Sequence, residues 1–347
     1  MAGAQPEDLL LATPEGLYCP AGGFHIDPWR PVAAAVITHA HADHARSGHR
    51  AYLAAHDSAG VLRVRLGADI ALQTLAWGEP TLRNGVRVSL HPAGHVLGSA
   101  QVRLEHAGRV WVVSGDYFVS GAGDSIPTCV PFEPVPCDCF ITESTFGLPI
   151  YRWQPQSAVF GEINAWWQAN ADAGRASLLM GYSFGKAQRL LAGVDAGIGP
   201  IAVHGAIEPL NAAYRAAGIA LPGTLRLPEL DSSGLKRALV LAPPSVQGSA
   251  WLKRLPAYSD AFASGWMNLR GTRRRRGVDR GFVLSDHADW PGLQQAIRAS
   301  GAERVIVTHG YEAAMVRWLR EQGWQAGAFA TEYGDDALDD AAVAVEA

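Results

Sequence analysis

Between about residues 33 and 143, short apolar runs of β type recur, each cut off by Gly, Pro or His. Val36-Ile37-Thr38 gives way at once to His39-Ala40-His41-Ala42-Asp43-His44, and Val86-Arg87-Val88-Ser89-Leu90 leads to Pro92-Ala93-Gly94-His95. The apolar segments 100–105 and 109–114 flank Ala107-Gly108, which predicts a β-hairpin. Phe140-Ile141-Thr142 is a further buried run and stops at the carboxylate of Glu143. Strands that repeatedly end in polar groups place those groups on rim loops, where a sheet presents a site.

Beyond about Pro155 the pattern changes. A helix is predicted over 157–173, followed by the apolar strand 176–180, a helix from Gly185, the strand 201–203, a helix near 208–217 and the strand 238–241. Strands alternating with helices predict a parallel α/β unit. From Gly281 the short apolar runs with polar ends resume. Phe282-Val283-Leu284 ends at Ser285-Asp286-His287, and Val305-Ile306-Val307 ends at Thr308-His309-Gly310. The simplest organisation is one domain, 1–154 and 279–332, interrupted by an inserted α/β domain over 155–278. A solvated acidic tail is expected over 333–347.

Composition narrows the class. A chain of 347 residues that is 48% hydrophobic can bury one large core or two ordinary ones, which excludes disorder, collagen-like repeats and coiled coil as the dominant state. No stretch approaches the ~18 apolar residues a bilayer crossing needs, so no membrane partner is expected. The start, Met1-Ala2-Gly3-Ala4-Gln5-Pro6-Glu7-Asp8, lacks the positive segment of a signal peptide, and the four cysteines do not make a disulfide framework. A reducing cytoplasm is the expected location.

The net charge of −4 hides an uneven layout: of the 29 basic residues only Lys186, Lys236 and Lys253 are lysines, and six arginines fall between Arg270 and Arg280. An acidic average therefore does not exclude a polyanionic partner, because binding follows the local field. In Arg270-Gly271-Thr272-Arg273-Arg274-Arg275-Arg276-Gly277 the flanking glycines predict a loop, and the planar guanidinium suits phosphate. Arg273, Arg274, Arg275 and Arg276 are accordingly candidate substrate contacts. In Gly94-His95-Val96-Leu97-Gly98-Ser99 the glycines would let the backbone approach metal or substrate closely, and Ser99 is a candidate phosphate donor, with a plain tight turn as the alternative. Ser183 and Lys186, beside a predicted helix start, are candidates of the same kind, with helix capping and a solvated side chain as the alternatives. Cys137-x-Cys139 is too closely spaced for a zinc knuckle, and both are read as small core residues.

The histidines carry the chemistry. Of twelve, three fall with Asp43 inside His39-x-His41-x-Asp43-His44, directly after an apolar run. In a tight loop His39 and His41 can turn toward one ion while Asp43 and His44 turn toward a second. His95, Asp116 in Ser114-Gly115-Asp116, and His309 complete a set of seven. A carboxylate such as Asp116 can bridge two ions, which a neutral imidazole cannot. Two ions roughly 3.5–4 Å apart can hold a hydroxide between them and clamp a phosphoryl group. The nitrogen and oxygen donor set suits two divalent cations, zinc first and manganese as the alternative.

His39-x-His41-x-Asp43-His44 with His95, Asp116 and the late His309 resembles the metallo-β-lactamase superfamily, whose fold is an αββα sandwich with a dinuclear site at its rim. The resemblance puts His39, His41 and His95 on one metal and Asp43, His44 and His309 on the other, with Asp116 bridging. Asp27 matches the family's early aspartate, which orients the ligand loop. Glu143 in Thr142-Glu143-Ser144-Thr145-Phe146, His287 in Ser285-Asp286-His287-Ala288-Asp289, and His309 before Gly310 are similar to the three extra motifs of the β-CASP nucleases. In that branch an α/β domain is inserted into the lactamase fold, and Gly181-Tyr182-Ser183-Phe184-Gly185-Lys186-Ala187-Gln188 resembles a segment of the insert. Branch members cut nucleic-acid phosphodiesters and include ribonuclease J, the polyadenylation endonucleases and the Artemis-like DNA nucleases.

For phosphodiester hydrolysis this implies a metal-bridged hydroxide as nucleophile and Asp43 or Asp116 as proton acceptor. His287, oriented by Glu143, would be the general acid for the leaving alkoxide. The arginine run and Ala263-Ser264-Gly265-Trp266-Met267 look most like the bacterial ligase-associated DNA exonucleases, which implies single-stranded or duplex-end DNA as substrate, a role in DNA repair, and an ATP-dependent DNA ligase and a helicase as partners. One feature points the other way: DNA-cutting eukaryotic members have Val where this chain has His309, and RNA-cutting members have His. An RNA-processing nuclease and a small-molecule metallo-hydrolase are therefore the alternatives.

Overall fold

The computed structural model describes residues 8–119 and 127–332, a mixed α/β chain that divides into two compact units. The first holds 8–119, 129–152 and 287–332, and the second holds 127–128 and 153–286.

The first unit opens with β1 (Leu11–Thr13), β2 (Gly16–Cys19) and β3 (Phe24–Ile26), paired antiparallel. It continues in parallel through β4 (Ala35–Val36), β5 (Tyr52–Ala55) and β6 (Leu72–Leu75), with helix α1 (Ala59–Leu66) crossing between the last two. These six strands form one sheet in chain order. A second sheet starts with the antiparallel strands β7 (Thr81–Arg83), β8 (Val86–Pro92), β9 (Ala100–His106) and β10 (Arg109–Val113), beside which β11 (Cys139–Ser144) runs parallel to β10. The β9–β10 turn is the expected hairpin. Ala107 and Gly108 both have positive φ, 50° and 77°, which a tight two-residue hairpin turn demands.

The second unit alternates helix and strand: α2 (Gln156–Asp172), β12 (Ala176–Met180), α3 (Lys186–Gly193), β13 (Ile201–Val203), α4 (Glu208–Ala216), α5 (Ser232–Leu235), β14 (Leu239–Ala242), β15 (Tyr258–Ala263), α6 (Arg270–Arg276) and β16 (Arg280–Phe282). Its five strands are all parallel, in the order β13-β14-β12-β15-β16. A parallel sheet needs cover on both faces. Leu179, Leu239 and Leu241 pack with Ile163, Trp167 and Leu190 of α2 and α3, while Leu178, Val240 and Phe262 pack on the opposite side with Leu227, Val246 and Met267.

The chain then returns to the first unit through α7 (Trp290–Ser300), β17 (Arg304–Gly310), α8 (Glu312–Glu321) and β18 (Gln325–Ala328), completing the second sheet in the order β18-β17-β11-β10-β9-β8-β7. The two-residue period of a strand shows directly in its packing. Trp111, Val113, Ile141 and Ile306 join Leu17, Ile26, Val36 and Leu53 of the first sheet, so the two sheets face each other across one core. Val112, Phe140, Val305 and Val307 point the other way, onto Leu293 and Ile297 of α7 and Met315 and Leu319 of α8. No helix among the described residues is long and apolar enough to cross a membrane.

Two sequence expectations are corrected here. The strand expected at 282–284 is β16, two residues earlier, and it pairs parallel with β15 in the second unit's sheet rather than returning to the first unit. Phe282 is buried there against Trp166, at 5.7 Å between ring centroids, so the second unit continues past the boundary expected at 278. The arginine run expected as a loop is helix α6, ended by Gly277 in the left-handed region. It is fastened at its middle and its C-terminal end: Arg273 Nε donates to the Met267 carbonyl, and the Arg276 guanidinium lies 4.4 Å over the Phe262 ring. The expected acidic tail over 333–347 lies outside the described residues.

Candidate metal centre

The ligand loop is set by a buried aspartate. Asp27 follows β3 with φ of 42°, a left-handed conformation that aspartate tolerates better than most residues. Its Oδ1 accepts from the Thr38 backbone N–H at 2.7 Å, and its Oδ2 accepts from the Thr38 hydroxyl and lies 2.7 Å from His44 Nδ1. A carboxylate only accepts, so His44 Nδ1 carries its proton and Nε2 presents a lone pair. Thr38 applies the same logic to its neighbour. Its hydroxyl hydrogen is committed to Asp27, so at the 3.0 Å contact between Thr38 Oγ1 and His39 Nδ1 the imidazole is the donor. At the far end of the second sheet, Thr308 Oγ1 donates to the Thr142 carbonyl at 3.3 Å and lies 3.2 Å from His309 Nδ1, which fixes that ring in the same tautomer.

All three Nε2 atoms face Asp116. His39 Nε2 lies 3.3 Å and His44 Nε2 3.5 Å from Oδ2, and His309 Nε2 lies 3.2 Å from Oδ1. His39 Nε2 and Asp116 Oδ1 are buried and make no well-directed hydrogen bond. Acceptors converging on acceptors in a buried place cost several kcal/mol unless positive charge lies among them. The titration behaviour of the protein alone expresses the same demand. Burial lowers the His44 imidazole, but the Asp116, Asp43 and Asp27 carboxylates more than reverse this, to about 10. Burial raises the Asp116 carboxyl, and the His44 and His39 rings outweigh it, leaving it well below the usual carboxylate range. Protons or divalent cations can supply that charge, and the donor set fits cations.

Two of the donor groups share Asp116 and lie among the loop histidines. His39, His41, His95 and Asp116 each bring an atom within 4.8 Å of the others, and His44, Asp116 and His309 form a second group of the same kind. Asp116 belongs to both. In the first group the three imidazole centroids stand 4.9 Å apart in every pairing, with ring planes crossed by 73° to 90°. Both groups could hold metal ions. Asp43 stands at the edge, its Oδ2 3.6 Å from His44 Nε2 and its side chain 29% exposed.

Beside this centre lies a carboxylate–histidine pair. His287 Nδ1 lies 2.9 Å from Glu143 Oε2 and 3.1 Å from Oε1, so Nδ1 is the donor and Nε2 is the atom turned to other tasks. The His287 ring is 4.5 Å from that of His95, and Asp116, Glu143 and His287 also bring donor atoms within 4.8 Å of one another.

The candidates for substrate contact fare differently. Ser99 is buried, and its Oγ accepts the backbone N–H groups of His95 and Val96 at 3.0 and 3.2 Å, so its oxygen shapes the His95 loop. The flanking glycines likewise approach protein, not ligand. A Cβ on Gly98 (φ 71°) would stand 2.3 Å from Ser58 N, and one on Gly94 (φ 76°) 2.5 Å from the Phe118 carbonyl oxygen. Gly98→Ala is expected to lower stability by about 2–3 kcal/mol, read as a lower denaturant midpoint at unchanged slope, and an unchanged midpoint would contradict this close packing. Lys186 is 2% exposed, and its ammonium donates to Asp286 Oδ1 at 2.7 Å and the Leu284 carbonyl at 2.9 Å, a buried pair rather than a phosphate contact. Ser183 is also buried, and its carbonyl accepts from Gln188 Nε2 at 3.1 Å. Of these candidates the arginines stay on the surface: Arg273, Arg274 and Arg275 are exposed, and Arg276 is half-buried on Phe262.

Sequence reasoning misses Thr38, Thr308 and Tyr117. A signal for the first two is present, because Thr directly precedes His at both 38–39 and 308–309. Arg65 is missed as well; it donates to the carbonyl of Ala40 between two of the loop histidines, and nothing local in the sequence marks it.

No protein-family model matches the chain. It is 32% identical over 315 residues to a probable DNA ligase of Opitutus terrae, an alignment covering 90% of this chain but only 30% of that protein. It is also 32% identical over 122 residues to endoribonuclease ysh1 of Emericella nidulans, covering 35% of this chain and 13% of the relative. The chain thus spans less than a third of the length of these relatives. Among solved structures, a protein of unknown function from Enterococcus faecalis V583 superposes with a TM-score of 0.57 at 12% identity, covering 87% of this chain and 80% of that one, a likeness of fold alone.

Proposed function

We propose that the chain is a β-CASP member of the metallo-β-lactamase superfamily that hydrolyses nucleic-acid phosphodiesters with two divalent cations, zinc first, and that its substrate is DNA cut from an end during repair. The observation that carries the reading is Asp116, which belongs to both donor groups, its Oδ2 facing His39, His44 and His95 and its Oδ1 facing His309. His39, His41 and His95 would hold one cation, and Asp43, His44 and His309 the other. Such a pair supplies charge neutralisation on the non-bridging phosphate oxygens and an activated water.

The chain's own groups then manage the protons. As the water oxygen bonds to phosphorus, Asp43 takes a proton from it. The bond from phosphorus to the leaving sugar oxygen breaks with its electron pair staying on that oxygen, which takes a proton from His287 Nε2. Glu143 holds Nδ1 of the same ring and stabilises the imidazolium that donates.

DNA and a ligase partner draw support from the Opitutus match, because 90% of this chain aligns there within one polypeptide called a probable DNA ligase. The match to an endoribonuclease favours the second reading, RNA processing. End-labelled single- and double-stranded DNA and RNA offered to the metal-loaded protein separate the two. Stepwise shortening of DNA is expected, and faster cleavage of RNA would replace the first reading by the second.

Helix α6 has a separate test. Arg273, Arg274 and Arg275 changed together to Ala should weaken DNA binding and flatten the plot of log affinity against log salt by about 0.7–0.9 for each phosphate no longer neutralised. An unchanged slope in fluorescence anisotropy would remove the helix from the binding surface.

A further inference from the structure

Tyr117 follows Asp116 and is fully buried, its ring 5.3 Å from Phe132 and 6.3 Å from Phe140 between centroids. Its three polar groups reach two other stretches of the first unit, the end of β11 and the segment after His287. Its N–H donates to Glu143 Oε1 at 2.8 Å. Its carbonyl accepts from the N–H of Ala288, the residue after His287, at 2.7 Å. Its hydroxyl lies 2.9 Å from Thr142 Oγ1, and Thr142 directly precedes Glu143. Thr142 Oγ1 itself donates to the Glu143 carbonyl at 3.0 Å, so at the tyrosine contact the phenol is the donor.

One residue therefore touches the carboxylate of Glu143, the hydroxyl of Thr142 beside it and the backbone beside His287, while its own preceding neighbour is Asp116. A packed aromatic ring fixes the side chain, and the side chain fixes the peptide groups on either side. We propose that Tyr117 is a positioning residue that holds the Glu143–His287 pair in register with Asp116, so that the proton reaches the leaving oxygen as the phosphorus centre is attacked. The proposal rests on the reading of His287 as the proton donor.

Its consequence depends on the leaving group. A sugar alkoxide needs a proton as it departs, whereas p-nitrophenolate leaves without one, so misplacing the donor slows only the first. Tyr117→Phe keeps the ring and both backbone bonds and removes the phenol's bond to Thr142. On an oligonucleotide it should lower kcat by about tenfold with little change in KM and unchanged metal content, the size typical when a group holding a reactive residue is removed. On thymidine 5′-p-nitrophenyl phosphate its rate should match the parent's. Thr142→Val, which removes the other end of the same bond, should reproduce this split, and the double variant should be no worse than either single one. General damage to the fold would lower both substrates alike.

The same pair of substrates with His287→Ala separates the two ideas. If His287→Ala shows the leaving-group split and Tyr117→Phe does not, the positioning role is wrong and the proton donor stands. If His287→Ala slows both substrates equally, the proton donor itself is misassigned and the role of Tyr117 falls with it.

Discussion

Asp116→Asn should strip the protein of at least one of two bound cations and lower phosphodiester turnover by about 10³-fold or more. A cation acting on a phosphoryl group supplies several kcal/mol of transition-state stabilisation, and each ~1.4 kcal/mol is a factor of ten in rate. Asparagine keeps the shape of the side chain but replaces the charge and one acceptor oxygen with a dipole and an amide donor. That donor would point at His39 Nε2 or His309 Nε2, 3.3 and 3.2 Å from the two carboxylate oxygens, and would satisfy a lone pair that the proposed cation would otherwise take. The variant should therefore fold, because it quiets a crowd of buried acceptors, while removing the shared ligand of both donor groups. Elemental analysis and turnover on labelled DNA check the two halves together. Full metal content with normal turnover would show that Asp116 is not shared.

His287→Ala is expected to behave in the opposite way, keeping both cations while kcat falls by about 10²- to 10⁴-fold, the usual worth of a placed general acid. The ring sits in the first unit against Glu143 and beside His95, and its Nδ1 is committed to the carboxylate. Truncation leaves Glu143 with the Tyr117 N–H and one buried oxygen short of a partner, a modest cost in stability. Metal content should be unaffected if His287 acts only as a proton donor, although it also lies within donor distance of Asp116 and Glu143. Parent-like turnover on an oligonucleotide would remove His287 from the reaction, and depletion of metal would make it a ligand instead.

Much of the centre is legible in the sequence because its donors cluster at the ends of apolar runs. Val36 and Ile37 lead straight into His39, and Val305-Ile306-Val307 leads into Thr308-His309, so strand ends and ligands announce one another. The alternation of helix and strand after Pro155 is equally plain, since each strand of a covered parallel sheet is a short continuous apolar run. The N-terminal meander is not legible. β1 and β3 have three residues each and β2 has four, too few to show a period, and they become strands by pairing with one another.

Lys186 reads as a candidate phosphate contact because its partner, Asp286, is a hundred positions away and no local pattern joins them. Helix α6 is hidden for a different reason. A run of arginines between glycines has no apolar stripe to mark a helix, and its anchors, Phe262 and the Met267 carbonyl, lie outside it. In both cases the deciding contact is tertiary, and residue type alone favours the solvent.

The most direct test of the shared centre is to count metal in protein purified without added chelator, alongside its activity on labelled DNA, for the parent and for His309→Ala. Two equivalents per chain are expected in the parent, with one equivalent and most turnover gone in the variant. A parent that cleaves DNA while carrying no metal would contradict the account outright.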